Sequence, residues 1–143
     1  MAERLSAGVV VIRYDCGLPR FLMLRAFRHW DFPKGRLEAN ETPLAAAVRE
    51  VEEETTIADL SFRWGELYQD TGPYNRGKVA RYYLAETQQT DVSLPVNPEI
   101  GRPEHHEYRW VTFSAALELA SPRLRPIILW AADVLNLRAG EED

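Results

Sequence analysis

Between Gly35 and Glu54 this 143-residue chain carries a spacing that few folds can accommodate: Gly35, five residues, Glu41, seven residues, then Arg49-Glu50-Val51-Glu52-Glu53-Glu54. The part from Thr42 onward reads as a helix, with Thr42 as its N-cap and Pro43 at the first helical position, where the missing N–H costs nothing. At roughly 100° per residue, Glu50, Glu53 and Glu54 fall within an arc of about 100°. Leu44, Val48 and Val51 gather on another face, and Glu52 points away from the trio. Carboxylates three and four positions apart repel by about 0.2–0.5 kcal/mol per pair, and in the last turn the helix dipole adds to the cost. A cation is therefore expected to neutralise them. Oxygen ligands clustered this way suit Mg²⁺ or Mn²⁺ rather than zinc, which points to hydrolysis or transfer at a phosphate. A solvated acidic face would explain the acidity but not the spacing. With six fixed positions each drawn at about 5–7%, a chance match at a given start is on the order of one in ten million.

The segment resembles the signature of the Nudix hydrolases, which cleave a nucleoside diphosphate linked to another group. That pattern continues with any residue, Gly and an aliphatic, and here Thr55, Thr56 and Ile57 stand in those places. Thr56 departs from it: a Gly just past a helix adopts the left-handed conformation freely, whereas a β-branched Thr is poorly suited to positive φ. Two flanking motifs, Trp30-Asp31-Phe32-Pro33-Lys34-Gly35 and Glu104-His105-His106-Glu107-Tyr108-Arg109-Trp110, resemble the asymmetrical diadenosine tetraphosphate hydrolases within that family. The similarity then runs from about residue 5 to residue 137. Where that subgroup often has His after the Lys-Gly pair, this chain has Arg36.

The resemblance implies an α/β fold, an α/β/α sandwich around a mixed β-sheet, with the signature loop and helix at the active site. It implies that the Gly35 carbonyl, Glu50 and Glu54 hold a first divalent metal, and that Glu53 shares further metals or accepts the proton of the attacking water. Glu104 takes the place of the Glu in the subgroup's Glu-His motif and is the candidate acid outside the signature. Arg49 is read as an orienting residue, because a guanidinium can hold neighbouring carboxylates through paired hydrogen bonds without losing its proton; Glu41 is read as supporting the same arrangement. Glu38 is read as solvated. Lys34, Arg36 and Lys78 are expected phosphate contacts, and Tyr74 and Tyr82 are expected to offer ring faces to a base. His105 and His106 do not make a zinc site, since neither a Cys nor a third His joins them. The expected reaction is the Mg²⁺-dependent, unsymmetrical splitting of diadenosine tetraphosphate into ATP and AMP. Removal of pyrophosphate from 5′-triphosphorylated RNA is the second reading. A non-catalytic nucleotide-sensing domain is the contrasting class, and the full set of signature carboxylates argues against it.

Composition sets the frame. With 143 residues, 45% of them hydrophobic, the chain is expected to form one domain over residues 1–143. No stretch of eighteen apolar residues exists, and Met1-Ala2-Glu3-Arg4 leads into only a short apolar run, so neither a membrane span nor a signal peptide is expected and the expected compartment is the cytoplasm. Cys16 is the single cysteine, which excludes an internal disulfide. A net charge of −5 disfavours broad electrostatic binding to nucleic acid, an argument that weighs little for short anionic substrates. Strands are expected at 7–14, buried on both faces, and at 21–24, 61–68, 79–85 and 108–111, with a short extended segment at 29–33. The polar stretches 69–78 and 87–102 read as surface loops. Ser114 is expected to cap a short helix, and Pro126 to open a last one striped with Ile127, Trp130, Ala131 and Val134. The acidic tail Glu141-Glu142-Asp143 is expected to fray.

Overall fold

The computed structural model describes residues 4–137; the acidic tail expected to fray lies outside them. Strand β1 (Arg4–Asp15) carries Val9, Val10, Val11 and Ile12, all fully buried, because the sheet is covered on both faces. Cys16 and Gly17, both at positive φ, turn the chain into β2 (Leu18–Ala26), with Ile12 opposite Phe21. β3 (His29–Asp31) pairs with β2, and β4 (Lys34–Arg36) folds back antiparallel onto the start of β1. The signature loop that the resemblance implies thus opens as a short strand. Helix α1 (Pro43–Thr55) follows; then β5 (Tyr68–Asp70) pairs antiparallel with β6 (Lys78–Glu86), which lies parallel to β1. β7 (Val96–Asn97) and β8 (Arg102–Pro103) form a separate ribbon, and β9 (Glu107–Val111) adds to β2. Helices α2 (Phe113–Leu119) and α3 (Arg125–Val134) close the described chain. The main sheet runs β3-β2-β1-β6-β5, with β4 also on β1 and β9 also on β2, so it is mixed as expected.

Strand alternation divides the core in two. Val10, Ile12, Ala80, Tyr82 and Leu84 face α2 and α3, where they meet Phe113, Leu124, Ile127, Ile128 and Ala131. Val9, Val11, Tyr83 and Ala85 face α1 and meet Ala46, Ala47 and Val51. The inner row of α1 is Ala47, Val51 and Glu54, spaced i, i+4, i+7. Val48, expected on the apolar face, is 38% exposed. Small side chains at Ala46 and Ala47 let the helix lie close to the sheet, and that roll carries Glu54 inward.

Two other expectations are corrected. Residues 61–68 do not form the expected strand, and only Tyr68 lies in one, as the first residue of β5: Ser61 makes one bridge to Glu86, then the chain turns at Phe62–Gly65, with Gly65 at φ 97°. The pattern of apolar residues there serves packing of Leu60 and Phe62 beneath a loop rather than a ladder. The cap of α2 is Thr112, whose side chain accepts from the Ala115 N–H at 3.1 Å, two residues before the expected Ser114. The predicted N-cap of α1 does hold, as Thr42 accepts from the Ala45 N–H at 3.1 Å. At the other end Thr56 occupies the left-handed region at φ 65°, so the helix exit keeps the glycine-type geometry with a β-branched residue.

Candidate active site

The site forms where β4 meets the last two turns of α1. A Cβ added to Gly35 would stand 2.1 Å from the Glu50 carboxyl carbon, so any side chain there would push the Glu50 carboxylate away from the Gly35 backbone. Gly8 plays the matching part on β1: a Cβ there would lie 2.2 Å from the Pro33 carbonyl oxygen, and the bare backbone lets the Val9 N–H reach that oxygen at 3.1 Å. Gly8 was not legible as a site-building residue in an apolar strand.

Arg49 ties the carboxylates together. Its guanidinium donates to Glu41 at 2.7 and 2.9 Å, to Glu50 at 3.0 Å, to Glu53 at 3.2 Å and to the Arg36 carbonyl at 3.1 Å. The paired bonds from Arg49, aided by the Glu38 backbone N–H, hold the Glu41 carboxyl down at about 2. Glu38 itself stays largely solvated, 3.7 Å from Arg49.

Glu54 stands apart from that network. Its carboxyl is buried, accepts the Lys34 N–H at 3.3 Å and is pushed well above the usual carboxylate range, first by burial and then by Glu104 and Glu50. Glu50 is raised by burial too, with Arg49 opposing. Ligand atoms of Glu54, Glu104 and His105 lie within 4.8 Å of one another, so the acid expected outside the signature joins it in space. His105 Nδ1 is 3.9 Å from Glu54, and burial lowers the imidazole's pKa, which favours its neutral form. A cation held by all three would meet one nitrogen beside the oxygens read from sequence. Glu54, a buried carboxyl with no cationic side chain in contact among the described residues and with the exposed Glu104 beside it, forms a cation site chemically, and the divalent metal that the resemblance implies fits it.

These groups open into a cleft of about 910 Å³ whose walls also carry Lys34, Arg36, Lys78, Tyr74 and Glu53. Glu53 sits at its rim, with its side chain 56% exposed. Tyr74 and Lys78 are locked to each other by N–H···O bonds of 2.9 and 2.8 Å across a tight turn in which Asn75, Arg76 and Gly77 all have positive φ. Tyr82, expected to stack a base, does not line the cleft: it is fully buried, edge-on to Phe32, and its hydroxyl donates to Asp31 at 2.7 Å. It faces inward because its neighbours in β6 at even positions, Ala80 and Leu84, belong to the same core. Sequence reading missed Asp31 and Arg123. Asp31 lay inside a quoted motif, but nothing in the sequence singled out Arg123, which reaches Asp31 from the loop before α3 at 3.4 Å.

Residues 3–131 match the model of the NUDIX domain family. The chain is 33% identical over 127 residues to the asymmetrical bis(5′-nucleosyl)-tetraphosphatase of Rattus norvegicus, covering 80% of this chain and 83% of that protein. It is 30% identical over 109 residues to an RNA pyrophosphohydrolase of Acidiphilium cryptum, covering 68% and 66% respectively. Among solved structures, the C. elegans Ap4A hydrolase binary complex superposes with a TM-score of 0.76 at 23% identity, over 94% of this chain and 99% of that one. No helix among the described residues is long and apolar enough to cross a membrane.

Proposed function

Since this chain belongs to the Nudix family and is a pyrophosphohydrolase by that membership, we propose that it splits diadenosine tetraphosphate unsymmetrically into ATP and AMP, using Mg²⁺, and that residues 1–143 act as one domain. The observation that carries the reading is the cleft. At about 910 Å³ it lies near the top of the range of small-molecule sites, ~300–1,000 Å³, and it joins the acidic cluster to two lysines and a tyrosine. That is a place for a phosphate chain with a nucleoside at its end and room beyond.

Glu50, Glu54 and the Gly35 carbonyl would hold the ion, with Glu104 and Glu53 available to share others. A bound divalent cation neutralises phosphate charge and makes water a better nucleophile. Around it, Arg49 keeps Glu50 and Glu53 in place, while Lys34 and Lys78 supply positive charge to the chain. Glu53 or Glu104 accepts the proton of the attacking water. Tyr74 stacks the base.

The resemblance to an RNA pyrophosphohydrolase, with Arg4 and Arg36 on the cleft wall, favours 5′-triphosphorylated RNA as the second reading. A panel of nucleotides with Mg²⁺, run in ¹⁸O-water and resolved by chromatography, separates the two. Label in AMP and none in ATP is expected. ADP as the sole product, or a clear preference for triphosphorylated RNA, removes the tetraphosphate assignment.

A further inference from the structure

Behind Tyr74 lies a set of contacts that the reaction does not use. The guanidinium of Arg123 sits 4.3 Å above the ring of Tyr74. It is anchored by Asp31 Oδ2 at 3.4 Å, and the same oxygen stands 3.8 Å from Lys34 Nζ. Asp31 Oδ1 is fixed in turn by the Tyr82 hydroxyl and the Phe32 N–H, both at 2.7 Å. Neither Asp31 nor Arg123 lines the cleft, whereas Tyr74, Lys34 and Lys78 all do. The contacts therefore run from one phosphate-side lysine, through a rigidly held carboxylate and a guanidinium, to the aromatic ring and across its tight turn to the other lysine.

Packing alone does not account for Arg123. Its Nη1 is buried with no hydrogen-bond partner among the described residues, a cost that an apolar residue over the ring would avoid. Covering one face of Tyr74 fixes the ring plane and leaves the other face to a ligand, with a cation behind the ring.

We infer that Asp31 and Arg123 are a positioning pair that holds Tyr74 in the plane at which a nucleobase stacks, setting affinity for the nucleoside end of the substrate separately from its phosphates. This rests on the reading of Tyr74 as the base contact. The pair touches no reacting atom, so it acts on binding and not on the chemical step.

The test uses the full chain and whichever nucleotide the wild type hydrolyses, with ATP and inorganic tripolyphosphate as competitive inhibitors. Arg123→Gln should raise the inhibition constant of ATP about tenfold and leave that of tripolyphosphate, and kcat, within about twofold. Arg123→Lys, which keeps a cation over the ring, should recover most of the ATP binding. Asp31→Asn also frees Lys34 from its ion pair and acts on both inhibitors, so its readout is the ratio of the two constants: ATP should weaken relative to tripolyphosphate as in Arg123→Gln, and the double variant should shift that ratio no further than either single one, since both act on one ring. Equal weakening of both inhibitors, an unchanged ATP constant, or a kcat that falls with the melting temperature in both Arg123 variants would overturn the inference. A wild type that ignores diadenosine tetraphosphate but hydrolyses another nucleotide removes the substrate assignment and leaves this test in force.

Discussion

Replacing Arg49 by Met keeps the aliphatic stem and deletes a guanidinium that donates to three carboxylates and one carbonyl. Breaking a buried ion pair from one side costs about 3–5 kcal/mol, whereas exposed pairs contribute about 0–1. The Arg49 side chain is 22% exposed and those of Glu41 and Glu50 are 14% and 13%, so the network lies between these limits. Solvent screening brings the expected loss to about 2 kcal/mol, which for a chain of this size lowers the melting temperature by about 6–8 °C. The assay is thermal and urea unfolding with EDTA and again with excess Mg²⁺. The ion should restore part of the loss, because it replaces positive charge beside Glu50 and Glu53, but Glu41 turns to Arg49 and away from the acidic cluster and should gain nothing. Arg49→Lys should recover less than half, as an ammonium cannot make the paired bonds to Glu41. Wild-type stability for Arg49→Met in EDTA, or complete rescue by Mg²⁺, would refute the argument that Glu41 depends on the guanidinium.

Glu54→Gln should lower kcat by at least a hundredfold while stabilising the metal-free protein, since its buried carboxyl is pushed up by burial and by Glu104 and Glu50; the solvent-facing Glu52→Gln should change activity less than a few-fold. A carboxyl held above its ordinary 4.5 binds protons more tightly folded than unfolded, so wild-type stability in EDTA should fall as pH rises above 4.5, and Glu54→Gln should flatten that slope in urea melts taken across pH. Thr56→Gly should raise stability by about 1 kcal/mol, the strain of a β-branched residue in the left-handed region, because the contacts its backbone makes with Glu52 and Gln89 survive the change; a lower melting temperature would show that the Thr56 hydroxyl bond to the Thr55 carbonyl outweighs the strain.

Legibility followed the range of the interactions. The helix with its cap, the strand buried on both faces and the Gly-Glu-Arg-Glu spacing depend on neighbours within a few turns, and these were readable. Ser61 to Tyr68 has strand-like composition, but before Tyr68 enters β5 it is held by one bridge to β6 and by a turn at Gly65, which only tertiary packing decides. Tyr82 shows the limit most directly. Its parity along β6 puts it on a face, and whether that face meets helices or a cleft depends on α2 and α3, some thirty and more residues away. Glu104 and His105 carried a motif but no geometry until β9 docked on β2 and brought the preceding loop to Glu54. Arg123 had no local signal, as its partner Asp31 is 92 residues distant.

The charges in the cleft are distributed unevenly, and that distribution bears on how the site works. Arg49 commits two bonds to Glu41 and shares the rest among Glu50, Glu53 and the Arg36 carbonyl, while Lys34 leans its ammonium toward Asp31 and offers Glu54 only a backbone N–H. Glu54 and Glu104 thus stand together with a deprotonation-prone imidazole and without a cationic side chain in contact among the described residues. A protein built for stability alone would have placed a lysine or an apolar residue there. With the deficit beside carboxylates that Arg49 has already ordered, a divalent ion held there would meet oriented ligands and offset the desolvation that the fold imposes on Glu54, so that its binding would be coupled to folding.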